Sequence, residues 1–348
     1  MSEPVEIIRS FSGSRTGSLR RKANRYWRHI VPAVLKNVYW NALEKLAAAR
    51  LKSRSITKDE FVTDIKDAVA AHRGYAAAKI GMSQKHWMYY EVFLSRRVDP
   101  EEIRTYEKEL KFHCLKQEGV FPESCDFYLE FNRFYMQHVK NLDCVGVFYW
   151  PASMEMELIR YYGLKNKLIH FVLQEPDRSI PSNDNNCYLP FFRNKKLLII
   201  CPFAGVLKER ATQETFERVW SKSGKKWFYP KQVDAVEFPY GFAQETHRKY
   251  STVMDLFDFI MGKINQKDFD VALIGAGGLS IPVASTIKNM GKVAIDLGGH
   301  LQFIFGVIGK RWRDSEEGKR NYYNDWWIDM PEKYKPKETD VCDNGAYW

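Results

Sequence analysis

No run of apolar residues in this 348-residue chain approaches the roughly 20 that a membrane-spanning helix needs. The N-terminus also lacks the apolar core of a secretory signal, so the chain reads as soluble and cytoplasmic. Cysteine is sparse and scattered: Cys114, Cys125, Cys144, Cys187, Cys201 and Cys342 form no CxxC pair, and several sit inside apolar runs. That argues against a zinc knuckle or a disulfide framework and leaves reduced, structural thiols as the expectation. Acidic residues are nearly absent at the start. Residues 1–54 hold twelve Lys or Arg against three acids, so almost all of the net charge of +10 belongs to this segment and the remaining 294 residues are close to neutral. A nucleic-acid enzyme more often spreads its basic residues over the catalytic body, so the distribution points to an appendage instead. No internal repeat is visible.

What is present suits a large buried core, with 45% hydrophobic and 28% charged residues. Within 19–51 the apolar residues Trp27, Ile30, Val31, Val34, Leu35, Val38, Leu43 and Leu46 recur at helical spacing, with Pro32 kinking the helix or starting a second one. Its leading edge, Arg20, Arg21, Lys22, Arg25 and Arg28 beside Tyr26 and Trp27, suits an anionic bilayer surface. The competing reading is a solvated basic face on a helix docked to the body or to a second subunit. Residues 1–54 are thus expected as a basic helical extension and 55–348 as the main domain.

Beyond it, strands and helices alternate. Residues 55–73 open with a capping signal and carry a helical period, 74–81 (GYAAAKIG) read as a short strand ending at a glycine, and 82–94 look helical. Residues 99–141 read as two polar helices, 144–150 (CVGVFYW) as a strand, and 167–173 (KLIHFVL) as another. The loop at 175–186 has turn chemistry and is expected to face an acceptor. Strands follow at 196–202 and 233–238, with helices at 203–220 and 244–265. Such alternation predicts an α/β, Rossmann-like fold, a mostly parallel sheet with helices on both faces. The aromatic run Tyr322, Tyr323, Trp326, Trp327 and the ending CDNGAYW read as a tail packed back on the body.

The segment 270–312 organises the rest. An apolar run at 271–274 breaks into Gly275, Gly277 and Gly278, a helical pattern follows, and a second apolar run covers 293–297. Glycines at a sharp strand-to-helix turn let an anionic ligand reach the backbone N–H groups of the helix start. Gly275, Gly277 and Ser280 with Asp296 at 21 residues imitate a dinucleotide fingerprint, but only 52 residues remain after Asp296, too few for the rest of an NAD-binding domain.

The pattern IGAGGLSIPVASTIKNMGKVAIDLGGH resembles the C-terminal signature of the GT-D type glycosyltransferases, a strand, glycine-rich turn, helix and strand ending close to A-(I/L)-D-(I/L)-G-H. Ala294, Ile295, Asp296, Leu297, Gly298 and His300 match it, with one extra glycine, Gly299. The continuation FIFGVIGKRW and the ending NGAYW resemble a related group of polysaccharide-biosynthesis transferases. The resemblance covers about 60–348 and implies a nucleotide-sugar donor, UDP-linked first of all, and a glycan or lipid-linked acceptor in surface glycan assembly. It also implies Mn²⁺ or Mg²⁺ at a DxE motif, where this chain has Met82 and Gln84 in the stretch Lys79 to Gln84. Neither side chain neutralises a hard cation. A second acidic pair, Asp314 with Glu316, reads as surface charge.

Without a metal, cations and backbone amides must offset the departing diphosphate. The candidates are Lys79, Lys310 and Arg311 with the amides of Gly275, Gly277, Gly278, Gly298 and Gly299; Gly81 and Gln84 complete the first turn. Asp296 or Glu155 is the candidate base, the second open to the plain reading of an acid, like Glu157, in a helical first turn. His300 enters through the family motif as a ligand for phosphate or a sugar hydroxyl, and Trp312 or Trp150 as a stacking ring, with core packing the equal alternative. Two further readings stay open: a nucleotide-sugar-binding module that has lost its metal carboxylates, and, more remotely, an NAD-dependent oxidoreductase.

Overall fold

The apolar segments assemble into one seven-stranded sheet. The structure, a computed structural model, describes residues 33–96, 98–176, 187–224, 229–337 and 345–348, with side chains from Tyr39 onward. The basic run 20–28, Pro32, positions 177–186 of the loop after the third strand, and Cys342 lie outside the described residues.

The strands are β1 Tyr75–Lys79, β2 Cys144–Val147, β3 Lys167–His170, β4 Lys196–Ile200, β5 Gln232–Val236, β6 Val271–Ile274 and β7 Val293–Asp296. They pair in the order β3-β2-β1-β7-β6-β4-β5, every pairing parallel. The helices of ten or more residues are α1 Ala33–Arg54, α2 Lys58–Ala70, α3 Lys85–Ser95, α4 Pro100–Phe112, α5 Cys125–Asn141, α6 Ala152–Tyr162, α7 Val253–Ile264 and α8 Ser280–Asn289. A two-stranded parallel ribbon, β8 Val307–Ile308 with β9 Ile328–Asp329, follows the sheet.

Period-two alternation in the strands builds a core on each face. Ala76, Ala78, Leu198, Ile200, Ala272 and Ile274 join the core beneath α3, α5, α7 and α8. Tyr75, Ala77, Leu197, Ile199, Val271 and Leu273 join the other, beneath α2 and the helical turns at 204–210 and 300–304. The Rossmann-like expectation therefore holds, and the sheet is wholly parallel. No helix among the described residues is long and apolar enough to cross a membrane.

Several boundaries differ from expectation, each for a local reason. β2 stops at Val147 because the Glu155 carboxylate takes the N–H of Phe148 at 2.8 Å and of Tyr149 at 2.9 Å. β3 stops at His170, and Phe171–Gln174 turns into a single helical turn. The helix expected over 203–220 is two, Ala204–Arg210 and Gln213–Val219, the second capped by the Thr212 hydroxyl. The one expected over 244–265 divides at Thr252, whose side chain and Asp255 form a capping box for α7. At α2 the cap is Thr57 with Glu60.

The described part of the extension is docked on the body. α1 packs against α6, and Glu44 accepts from the N–H of Ala152 at 2.6 Å and of Ser153 at 3.3 Å, capping that helix from a neighbour. The tail also returns: Trp348 is buried, its carbonyl accepts from Lys310 N at 2.9 Å, and the Arg311 N–H donates to Ala346 at 3.1 Å. Tyr322 and Trp327 are buried around Trp220 and Phe303, while Trp326 stays part-exposed.

Candidate functional site

β1 and β7 are neighbours whose chains leave in opposite directions. After β1 the chain enters α3, on one face; after β7 it enters the turn His300–Ile304, whose Leu301 and Ile304 pack on the other. A parallel sheet opens a crevice at such a boundary, beyond the carboxyl ends of its strands. A cavity of about 510 Å³ lies there.

The two glycine-bearing bends that follow β1 and β6 touch across it. Gln84 accepts from Gly81 N at 2.9 Å and from the Tyr135 hydroxyl at 2.6 Å, and its amide donates to the Glu118 carboxylate at 3.1 Å and to the Gly277 carbonyl at 3.2 Å. Buried at 5% exposure, Gln84 is a strut between the bends. Gly277 has φ +52° and Gly298 φ +50°, the left-handed region a side chain resists, and a Cβ at Gly277 would stand 2.9 Å from the Glu118 carbonyl.

Asp296, at the end of β7, is 3% exposed. Its carboxylate accepts from Gly298 N at 3.0 Å, from Lys79 N at 3.5 Å and from the Ser280 hydroxyl. Burial raises its pKa, and the Lys79 ammonium with these hydrogen bonds works against that rise. Lys79 Nζ donates to the Leu297 carbonyl at 3.2 Å and lies 3.7 Å from Glu175, whose other oxygen is 3.8 Å from His300 Nδ1. The His300 ring stacks on Phe303 at 5.2 Å. Arg311 spreads over the rings of Trp312 and Tyr347 at 5.8 and 5.4 Å.

Most residues singled out in the sequence converge on this cavity: Lys79, Gly81 and Gln84 from the first bend, Gly275 and Gly277 from the second, and Asp296, Gly298, Gly299 and His300 beyond β7, with Arg311 and Trp312 over them. Four do not line it. Glu155 is buried in an ion pair with Lys85 at 2.6 Å and holds the turn after β2, so of the two candidate bases only Asp296 faces the cavity. Trp150 is half-exposed, Lys310 sits beside the tail, and a Cβ on Gly278 would meet Val120 at 2.7 Å.

The amides need a correction too. Gly275 N donates to the Ile200 carbonyl, Gly278 N to Glu118 and Gly298 N to Asp296 and Ile274, so these three already have partners inside the fold. Two side-chain cations, Lys79 and Arg311, also line the cavity. The metal fails the same test: Met82 offers a thioether, Gln84 spends its oxygen on Gly81 and Tyr135, and no cluster of three or more potential His, Cys, Asp or Glu ligands exists among the described residues. Asp314 is exposed, and Glu316, also exposed, pairs with Lys319, away from the cavity.

Residues that sequence reading passed over complete the lining: Glu118 and Glu175, a set of aromatics after β4 and β5, and Tyr347 and Trp348 from the tail. Those after strand ends carried a usable signal, since each lies within about six positions of a carboxyl end, where α/β sheets place ligands. Compared with protein-family models, with curated proteins and with solved structures, the chain matches none.

Proposed function

We propose that the chain is a glycosyltransferase that moves a sugar from a nucleotide-sugar donor, a UDP-sugar first, to a glycan or lipid-linked acceptor in surface polysaccharide assembly. The observation that carries this reading is the convergence of Lys79 with Asp296, His300 and Arg311, from two segments more than 200 residues apart, on one cavity at the β1/β7 crevice. Lys79 and Arg311 offset the charge growing on the leaving diphosphate, in place of a metal. His300 donates to a phosphate or sugar oxygen. Glu175, between Lys79 and His300, is a positioning residue for both. In a direct displacement the acceptor oxygen bonds to the anomeric carbon as the bond to the diphosphate breaks, and the acceptor proton passes to Asp296. A raised pKa suits that carboxylate to the task. Enzyme and acceptor meet in the cytoplasm at a membrane face, with the basic segment 19–51 in peripheral contact with the bilayer.

Turnover of UDP-, GDP- and CDP-sugars in the presence of EDTA tests this. One donor is expected to be consumed without metal, and the pair K79A/R311A is expected to lose at least about a hundredfold in rate. Near-normal rates in that variant would remove the charge-compensation mechanism. A second reading, a nucleotide-sugar-binding module without catalysis, draws on the two replaced carboxylates and the occupied glycine amides; it predicts saturable binding and no consumption of any donor.

A further inference from the structure

Followed along the carboxyl edge of the sheet, the cavity changes character. The ends of β1 and β7 and the segment after β3 contribute the charged lining side chains Lys79, Asp296 and Glu175. The loops after β4 and β5 contribute Phe203, Phe238, Tyr240 and Phe242 and, among the described residues, no charged lining side chain. Trp348 closes this lobe, its ring 5.5 Å from Tyr240 and 6.3 Å from Phe242. The lobe is held in place by backbone contact, since a Cβ on Gly241 would stand 2.3 Å from the Gly119 carbonyl, and both glycines line the cavity. β4 and β5 lie two and three strand spacings from β7, about 10 and about 14 Å across the sheet.

A transfer needs two substrates that meet at the charged centre, and apolar wall flanks that centre on both sides. On the β2–β3 side Phe148 and Phe171 stack at 4.1 Å beside Met82, a ring-sized surface that suits a flat base. The lobe on the β4–β5 side has no charged lining side chain among the described residues, and the ring edges that reach it suit a hydrocarbon chain better than a glycan, which is polar all round.

We propose that the β4–β5 lobe is the acceptor subsite and that the acceptor is an amphiphile, with its hydroxyl at Asp296 and a hydrocarbon chain among Phe203, Phe238, Tyr240, Phe242 and Trp348. This rests on the transferase reading. Its chemistry adds nothing to the displacement described above; it states what the acceptor carries beyond the reacting sugar.

Methyl, hexyl and octyl β-glucoside, each below its micelle concentration, are titrated into the full-length protein. A fully buried methylene strengthens binding about threefold to fourfold. Affinity is therefore expected to rise at least tenfold from the methyl to the octyl compound, and the rise is expected to flatten in Phe238→Ser. Affinity independent of chain length, a rise undiminished in a folded Phe238→Ser, or loss of octyl glucoside binding when UMP saturates the protein would each overturn the proposal. Should Phe238→Ser not fold, an octyl glucoside carrying a terminal diazirine is photo-crosslinked to the wild-type protein. Adducts on 202–203, 238–242 or 347–348 support the subsite and adducts only elsewhere overturn it. Failure of the transferase reading shows separately, as absence of UDP binding by the same protein.

Discussion

Asp296 and Glu155 are both acids close behind a strand of the sheet, and both are buried, yet they do opposite work. Asp296 faces the cavity with its pKa raised by burial. In the proposed transfer Asp296 is the base and must be ionised, so turnover is expected to fall as pH drops through that raised value. The acidic limb of the pH–rate profile then lies above the ordinary carboxyl range, and Asp296→Asn removes turnover while nucleotide binding persists. A limb in the ordinary range, or an active Asp296→Asn, would take the base role away. Glu155 instead compensates Lys85, which is 1% exposed and whose pKa burial pushes down while the Glu155 charge pushes it back up. Breaking such a buried pair leaves one charge stranded, so Glu155→Gln is expected to cost about 3–5 kcal/mol in urea unfolding. The double variant Lys85→Met with Glu155→Gln is expected to recover part of that. Sequence alone could not separate the two acids, because a residue after a strand end faces either the crevice or the core according to which way its loop leaves the sheet.

At the scale of elements, the central strands were legible because a parallel sheet buried on both faces needs short, nearly continuous apolar runs, which β1, β2, β4, β6 and β7 have, while the edge strands β3 (KLIH) and β5 (QVDAV) are more polar. Breaks inside helices were less so. The period continues through Ala211–Thr212 and through Thr252, and it is the side-chain hydroxyl of each threonine, bonded to the next turn, that starts a new helix there. Capping from a distant element leaves no local trace either. Glu44 of α1 holds the first N–H groups of α6, which no residue at 148–151 caps by a side chain. Glu44→Ala is expected to lower stability by about 1 kcal/mol, seen as a shift of the urea midpoint with an unchanged slope. No shift would mean that the N-terminal helix is not anchored through this contact.

Across the whole molecule, the crevice could be placed from sequence because β6, its glycine bend, α8 and β7 are contiguous. Lys79 and Gly81 announced themselves as a second strand end. Their adjacency, through the β1–β7 pairing, is a fact of topology that no local pattern carries. The same holds for the tail, which brings Tyr347 and Trp348 back over the cavity, and for Gln84, whose four hydrogen bonds make it a strut where the resembled family has a metal carboxylate. Backbone partners decide the amides: Gly275, Gly278 and Gly298 looked like an anion cradle and are already bonded within the fold. In the proposed transfer the charge of the diphosphate is assigned to Lys79 and Arg311, which both line the cavity. Calorimetric titration of UDP in EDTA into the wild-type protein and into K79A/R311A tests this most directly. Saturable one-to-one binding without metal, weakened more than tenfold in the variant, is the predicted result; binding that needs added Mn²⁺, or that the variant retains in full, would contradict it.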